Sequence, residues 1–339
     1  MAILDCEPGT IRAHELYGDY WFNSDPVPVL AQRGNIVLLD FWDYTSSASL
    51  HAIPYVIDWH RKYGPQGLVV LGVHTPRFPF GREPENVQRA IHRLGIPYPV
   101  VMDNEALVWA RYGNRVWPTQ RIVDRHGFVR FINAGGGSPG ATEHMLQTLM
   151  LDAGLLNDFP DLTEPLRETD RPGAVCYRAT PEIYAGYLRG SMGNVEGYSP
   201  ESAVHYSDPG IYFEGKFYVA GDWSNGRDEM HLVGNEGGEF LVRYSGLEVD
   251  VVLSSPGAQG VEAAVSQDGQ HVPKEALGDD VRIGGEGRSL LNVREPRSYH
   301  LIRNREHGEH LLKVEAPAGS LMLYALSFTP GVIPELISG

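Results

Sequence analysis

One stretch, Asn35 to Pro54, constrains the chain more than any other: NIVLLDFWDYTSSASLHAIP. An uninterrupted apolar run can only be a buried strand, and it ends in Asp40-Phe41-Trp42 before the chain turns directly into a helix. The four-residue motif Ser46-Ser47-Ala48-Ser49 opens that helix, and Pro54 follows five residues after the motif closes, where it would kink the helix. A serine just before a helix is a good N-cap, contributing on the order of 1 kcal/mol by accepting an otherwise unpaired amide hydrogen. A buried strand feeding a helix so directly belongs to a layered α/β sheet.

The residues that follow keep that pattern to about position 154. LVVLGVHT and YPVVMD read as further buried strands, while Leu50 to Tyr63 and Glu83 to Leu94 carry apolar residues at helical spacing. Pro84 suits a first helical turn because it lacks only a hydrogen that would have no partner there. Asn104 to Tyr112 reads as a short helix ended by Gly113. Thr119 to Val123 and Phe128 to Asn133 flank Asp124-Arg125-His126-Gly127 as a hairpin, and Ala141 to Ala153 closes the domain as a helix.

Residues 155–172, rich in proline and acids, read as a linker that partly packs. Beyond it come short alternating segments: Lys216 to Ala220, Glu239 to Tyr244, Glu248 to Leu253, Val261 to Ser266, Ser298 to Ile302, His310 to Val314 and Ser320 to Thr329. Many short strands separated by glycine, aspartate and asparagine predict an all-β sandwich or jelly roll over 173–332. The domain plan is therefore 1–34 as arm and lead-in, 35–154 as α/β domain, 155–172 as linker and 173–332 as β domain.

At 339 residues the chain exceeds what one core usually supports, consistent with two domains. A formal net charge of -15 excludes sequence-independent binding to nucleic acid or anionic lipid, which an acidic surface repels. No run of about 18 apolar residues occurs, so no membrane span is expected. The start, MAILDCEPGTIRAHELYG, lacks a basic segment followed by a long apolar one, so the chain is either cytoplasmic or has had an export segment removed. Cys6 and Cys176 fit no short redox or zinc motif and read as two thiols. No cofactor and no metal are expected.

The first domain resembles the thioredoxin-like family, in particular the soluble C-terminal region of DipZ-type and TlpA-like thiol-disulfide oxidoreductases. FWDYTSSASL, HAIPYVIDWHRKYGPQGLVVLGVHTP, PENVQRAIHRLGIPYPVVMDN and YGNRVWPTQRIVDRHG carry the resemblance in order. In the second domain, TPEIYAGY, VAGDWSNG and LMLYALSFTPG look like the carbohydrate-binding-module-like domain that follows thioredoxin in DipZ proteins. The resemblance implies an α/β thioredoxin-like fold followed by a β-sandwich, and a Cys-x-x-Cys motif where this chain has Ser46 and Ser49.

That chemistry needs sulfur at both positions. A thiol at a helix N-terminus has its pKa lowered, so a thiolate attacks a disulfide, and the second sulfur resolves the mixed disulfide. A serine hydroxyl neither ionises in the working range nor forms a disulfide, so the site as written is expected to be redox-inactive. Serines native to the protein and serines introduced in place of cysteine read identically in the chain. The resemblance further makes Trp117-Pro118 a cis-proline segment that presents backbone to a protein or peptide partner, where residues alone would read a strand-edge proline. It makes Asp40 the buried acid that serves the second sulfur, or without sulfur a strand-end acceptor. Relatives work outside the cytoplasm.

Weaker signals remain. A serine-hydrolase reading lacks the glycines of G-x-S-x-G around Ser46 and Ser49, and His51 reaching back toward Ser46 is its main support. Gly135 to Gly140, GGGSPG, lacks the lysine of a phosphate loop and reads as a flexible connection. His307-Gly308-Glu309-His310 reads as a turn rather than a metal site. Tyr184, Tyr187, Tyr198, Tyr206, Tyr212, Phe213, Phe217, Tyr218 and Trp223 are enough aromatic surface for sugar stacking if they face outward, with Asp222, Trp223 and Asn225 as the glycan candidates. The competing class is a non-catalytic binding protein, with the thioredoxin scaffold for peptides and the β domain for glycan or protein.

Overall fold

The computed structural model describes residues 2–7, 9–257, 259–319 and 321–334. The chain divides into two compact units, Met1–Pro172 and Gly173–Gly339.

The first unit runs β1 (Ala2–Asp5), β2 (Trp21–Phe22), β3 (Ile36–Trp42), α1 (Ser47–Tyr63), β4 (Leu68–His74), α2 (Pro84–Leu94), β5 (Val100–Met102), α3 (Leu107–Arg111), β6 (Thr119–Val123), β7 (Val129–Ala134) and α4 (Pro139–Asp152). Its seven strands lie in the order β1-β7-β6-β3-β4-β5-β2, with β3 parallel to β4 and antiparallel to β6. β3 is buried throughout because both faces are covered. Ile36, Leu38 and Trp42 pack with α1, α2 and α4, and the alternate residues Val37, Leu39 and Phe41 pack with Ala13, Leu16, Val108 and Tyr112.

The lead-in supplies more than an arm: β1 and β2 form the two edges of this sheet through pairing with β7 and β5, partners roughly 80 to 130 residues away along the chain. α3 starts three residues later than its pattern suggests. Ala106 is left-handed with φ 52°, and the Asp103 carboxylate takes the amides of Val108 and Trp109, fixing the start of the helix. Residues 155–172 are held against α1 and α4 rather than hanging between units. Tyr55 donates to Asp170 at 2.7 Å, Glu143 accepts from Lys62, Tyr63 and the Thr163 amide, and Gln147 donates to the Pro160 carbonyl.

The second unit is made mostly of strands: β8 (Ile183–Tyr184), β9 (Ala203–Tyr206), β10 (Phe217–Asn225), β11 (Met230–Leu232), β12 (Gly238–Ser254), β13 (Val261–Gln267), β14 (Gln270–His271), β15 (Val281–Ile283), β16 (Ser289–Val293), β17 (Arg297–Ala316) and β18 (Met322–Thr329). Two pairs of expected short strands are each one long strand. The segments at 239–244 and 248–253 are both β12, and those at 298–302 and 310–314 are both β17. Gly246 and Gly308, which read as breaks, stand opposite each other in the β12–β17 ladder next to a register shift, so the glycines bend paired strands instead of ending them. His307 to His310 therefore lies inside β17 and is not a turn. Ser320, expected to begin the last strand, lies outside the described residues.

Candidate functional site

Ser46 is the N-cap of α1. Its backbone is extended (φ -89°, ψ 114°), and its Oγ accepts the Ser49 amide at 3.3 Å. Both serines are buried, Ser46 at 5% exposure and Ser49 at 0%. Ser49 Oγ in turn accepts the Asp43 amide at 3.4 Å, so the turn that leaves β3 is closed by both hydroxyls. His51 does not reach back to Ser46; its Nε2 lies 3.4 Å from Ser47 Oγ, one helical turn away. Pro54 sits within α1.

The Trp117-Pro118 peptide bond is cis. It is carried to the motif by two contacts that no local pattern shows. Gly135 donates its amide to the Pro118 carbonyl at 2.8 Å, and a side chain at Gly136 would meet Pro118 Cγ at 2.7 Å and the Ala48 carbonyl at 3.5 Å. The GGGSPG segment is thus a wall between the proline and the first turn of α1, and only glycine at its positive φ fits there. On the other side, Arg77 donates to the Thr45 carbonyl at 3.0 Å and lies over the Trp117 ring, whose Nε1 donates to the Thr75 carbonyl at 3.0 Å. Trp117 also stacks on Trp109 at 4.2 Å between centroids.

Beneath the motif lies a buried charged cradle that sequence reasoning missed. Asp43 Oδ1 takes the Thr45 amide at 2.7 Å and the Thr45 hydroxyl, while Oδ2 takes the Arg77 amide at 3.1 Å and lies 3.4 Å from His74 Nε2. Burial opposes the charge on Asp43, but His74, Arg77 and Thr45 outweigh it and hold the carboxyl below its usual range. His74 is fully buried, stacked on Tyr44 and edge-on to Trp42. The three residues come from the end of β3, the end of β4 and the loop beyond it; the one available signal was three polar residues placed just past apolar strands.

Asp40 is fully buried in β3, opposite Gln120 of β6. Burial pushes its carboxyl up to about 7, with Gln120 drawing it back in part although neither carboxylate oxygen has a hydrogen bond of good geometry. It is a buried proton-holding group in the strand that leads into the motif. Among the described residues, no three histidine, cysteine, aspartate or glutamate side chains are grouped to hold a metal. Cys6 and Cys176 are both thiols.

The glycan candidates do not form a surface. Trp223 and Asn225 are both fully buried, Trp223 Nε1 donating to the Ala220 carbonyl and Asn225 Oδ1 accepting from Tyr206. Strand alternation turns them into the core, with Tyr206 and Phe217; Asp222, just before Trp223, is half exposed and pairs with His205 at 2.8 Å.

Comparison with known proteins fits this architecture. Residues 23–132 match the AhpC/TSA family and residues 180–329 match a thioredoxin like C-terminal domain. The chain is a thioredoxin-like protein of the DipZ/TlpA type. It is 32% identical to Protein DipZ of Mycobacterium tuberculosis over 243 residues, 70% of this chain and 34% of that protein. It therefore spans about a third of DipZ's length. Thiol-disulfide oxidoreductase ResA of Halalkalibacterium halodurans is 30% identical over 119 residues, 35% of this chain and 62% of ResA. A crystal structure of a thioredoxin-like superfamily protein covers 42% of the chain and 97% of its own length at 23% identity, with a TM-score of 0.40. The family is that of the thiol-disulfide oxidoreductases of the DipZ and ResA kind.

Proposed function

We propose that this chain, as it stands, is a redox-inactive member of that family which binds a protein or peptide partner at the Trp117-Pro118 segment without exchanging disulfides. The observation that carries this reading is the hydroxyl pair of α1: Ser46 Oγ and Ser49 Oγ are both engaged in closing the turn, and neither atom can become a nucleophilic thiolate. The rest of the frame, including Asp40, supports a site built for sulfur chemistry. An enzyme reading holds only for a protein with cysteine at both positions.

Insulin reduction separates the two. The chain should show no turnover above buffer with dithiothreitol, and the Ser46→Cys, Ser49→Cys variant should gain it, because the helix N-terminus and the nearby acid await the thiols. Turnover by the unchanged chain would refute the inactive reading. A variant that folds yet stays inactive would mark the frame as repurposed for binding alone.

For the second unit we propose a β-sandwich of the carbohydrate-binding-module kind that recognises glycan. What supports it is the partner exchange of β12, which pairs with β10 through residues 239–242 and with β18 through 248–254, wrapping one strand across two strand groups. Titration with oligosaccharides tests it; absence of binding would leave protein recognition as the role of this unit.

A further inference from the structure

The burial of Trp223 moves the question of where this unit binds to the outer face of the β12–β17 ladder. Two adjoining cavities lie there. One, of about 420 Å³, is lined by residues that include Tyr212, Arg243, Asp268, Glu309, His310 and Leu311. The other, of about 370 Å³, is lined by Arg178, Pro181, Glu214, Gly215, Ser245 and Glu309. Glu309 borders both, so the two cavities share a wall and count together as a two-lobed groove, each lobe within the usual size of a small-ligand site.

We infer that this groove is a binding site for a neutral oligosaccharide, two lobes wide, centred on Arg243 and Glu309. The inference rests on the reading of the second unit as a glycan-recognising domain, and the chemistry of the groove supplies the rest. Its polar groups come in pairs: Arg243 lies 2.9 Å from Glu309, His310 Nδ1 lies 2.7 Å from Asp268, and Arg178 shares its lobe with Glu214. Two arginines against three carboxylates leave little net charge to attract an ionic ligand. Instead each cation sits beside a carboxylate, placing donor and acceptor side by side, and a sugar hydroxyl is both a donor and an acceptor.

Backbone recognition of a peptide is closed off on both flanks. Thr180 donates its amide to the Ser245 carbonyl and accepts the Ser245 amide through Oγ1, and Asp268 does the same for Leu311 through its own amide and Oδ1. An extended peptide therefore finds no free strand edge in the groove. The wall is preformed. Asp208 Oδ1 accepts from the Gly210 amide at 2.9 Å and from the Tyr212 hydroxyl at 2.6 Å, and Tyr218 packs edge-on against the Tyr212 ring. A fixed aromatic ring beside paired polar groups suits the apolar face of a pyranose.

The test is titration calorimetry of the full chain with maltotetraose, cellotetraose and N-acetylchitotetraose, together with Arg243→Ala, Glu309→Ala and Asp222→Asn variants. Arg243 and Glu309 are exposed strand residues, so both variants should fold, which circular dichroism checks. Binding of one tetrasaccharide that weakens about tenfold or more in Arg243→Ala and in Glu309→Ala, and is unchanged in Asp222→Asn, supports the groove. Binding that survives both groove substitutions overturns this site while leaving glycan recognition by the unit intact. Absence of heat with all three sugars overturns the glycan reading itself, and the groove assignment with it.

Discussion

The cradle under α1 and the groove on the β12–β17 ladder are built from the same kinds of side chain, arginine, histidine and carboxylate, yet they do opposite work. In the cradle Asp43, His74 and Arg77 are out of water, every oxygen of Asp43 is engaged, and the arrangement closes a turn around Ser46 and Ser49. In the groove Arg243, Glu309 and Asp268 are about half exposed or more. Burial makes a charge set structural, because breaking it strands a charge in low dielectric. Exposure leaves a charge set cheap to rearrange, so it is free to exchange water for a ligand.

The widest gap should appear on removal of one partner from each set. Asp43→Ala leaves His74 and Arg77 buried without their carboxylate and should lower stability by about 3–5 kcal/mol, read as a reduced midpoint in urea. Glu309→Ala should cost no more than about 1 kcal/mol. Equal losses would end the distinction between the two regions. Trp223→Ala, at a core position, belongs with the first group at about 3–5 kcal/mol, and its effect on sugar binding would be indirect.

Asp40 sharpens the comparison because it is a buried acid without a cation. Burial raises its carboxyl from an ordinary 3.8 to about 7 in the folded state. The folded state thus holds the proton more tightly: stability is full below the unfolded value, declines as pH rises toward 7, and is flat above. The whole excursion is on the order of 4 kcal/mol. Asp40→Asn does not titrate, so it should be more stable than the parent at pH 8 and lose most of that advantage by pH 4. A gain independent of pH would mean that burial does not set this group's proton affinity.

Ser46→Ala removes the cap of α1 and should cost about 1 kcal/mol, measured by the same urea midpoint. Ser46→Asp should keep the cap, since its carboxylate can accept the same amide at the positive end of the helix. If Ala and Asp behave alike at 46, the hydroxyl is not holding the turn.

These differences follow which contacts are local along the chain. The strand and helix of Asn35 to Pro54 were legible because their signals, an apolar run, an N-cap serine and Pro54, lie within one segment. So were Pro84 at the first turn of α2 and Gly127 at positive φ in the β6–β7 turn. The cradle was not, since Asp43, His74 and Arg77 meet only after β3 and β4 pair in parallel. The edges β1 and β2 were missed for the same reason. In the second unit, Gly246 and Gly308 look like turn residues in one dimension, and only their pairing shows that they bend long strands. Trp223 failed as a candidate because alternation says that a strand has two faces without saying which is wet; Asp222 is on one and Trp223 on the other.

The smallest effect is the most discriminating test of the groove. A double-mutant cycle on Arg243 and Glu309 should return a coupling of about 0.2–1 kcal/mol at low salt, falling toward zero near 1 M salt as the pair is screened. Adding a saturating sugar should change that number, because a ligand that takes hydrogen bonds from both side chains also excludes the water that screens them. Asp43 and His74 offer the matching buried pair, whose coupling should be larger and nearly indifferent to salt. A coupling at Arg243 and Glu309 that is large, salt-insensitive and unaltered by sugar would place the groove pair with the cradle, as structure rather than site.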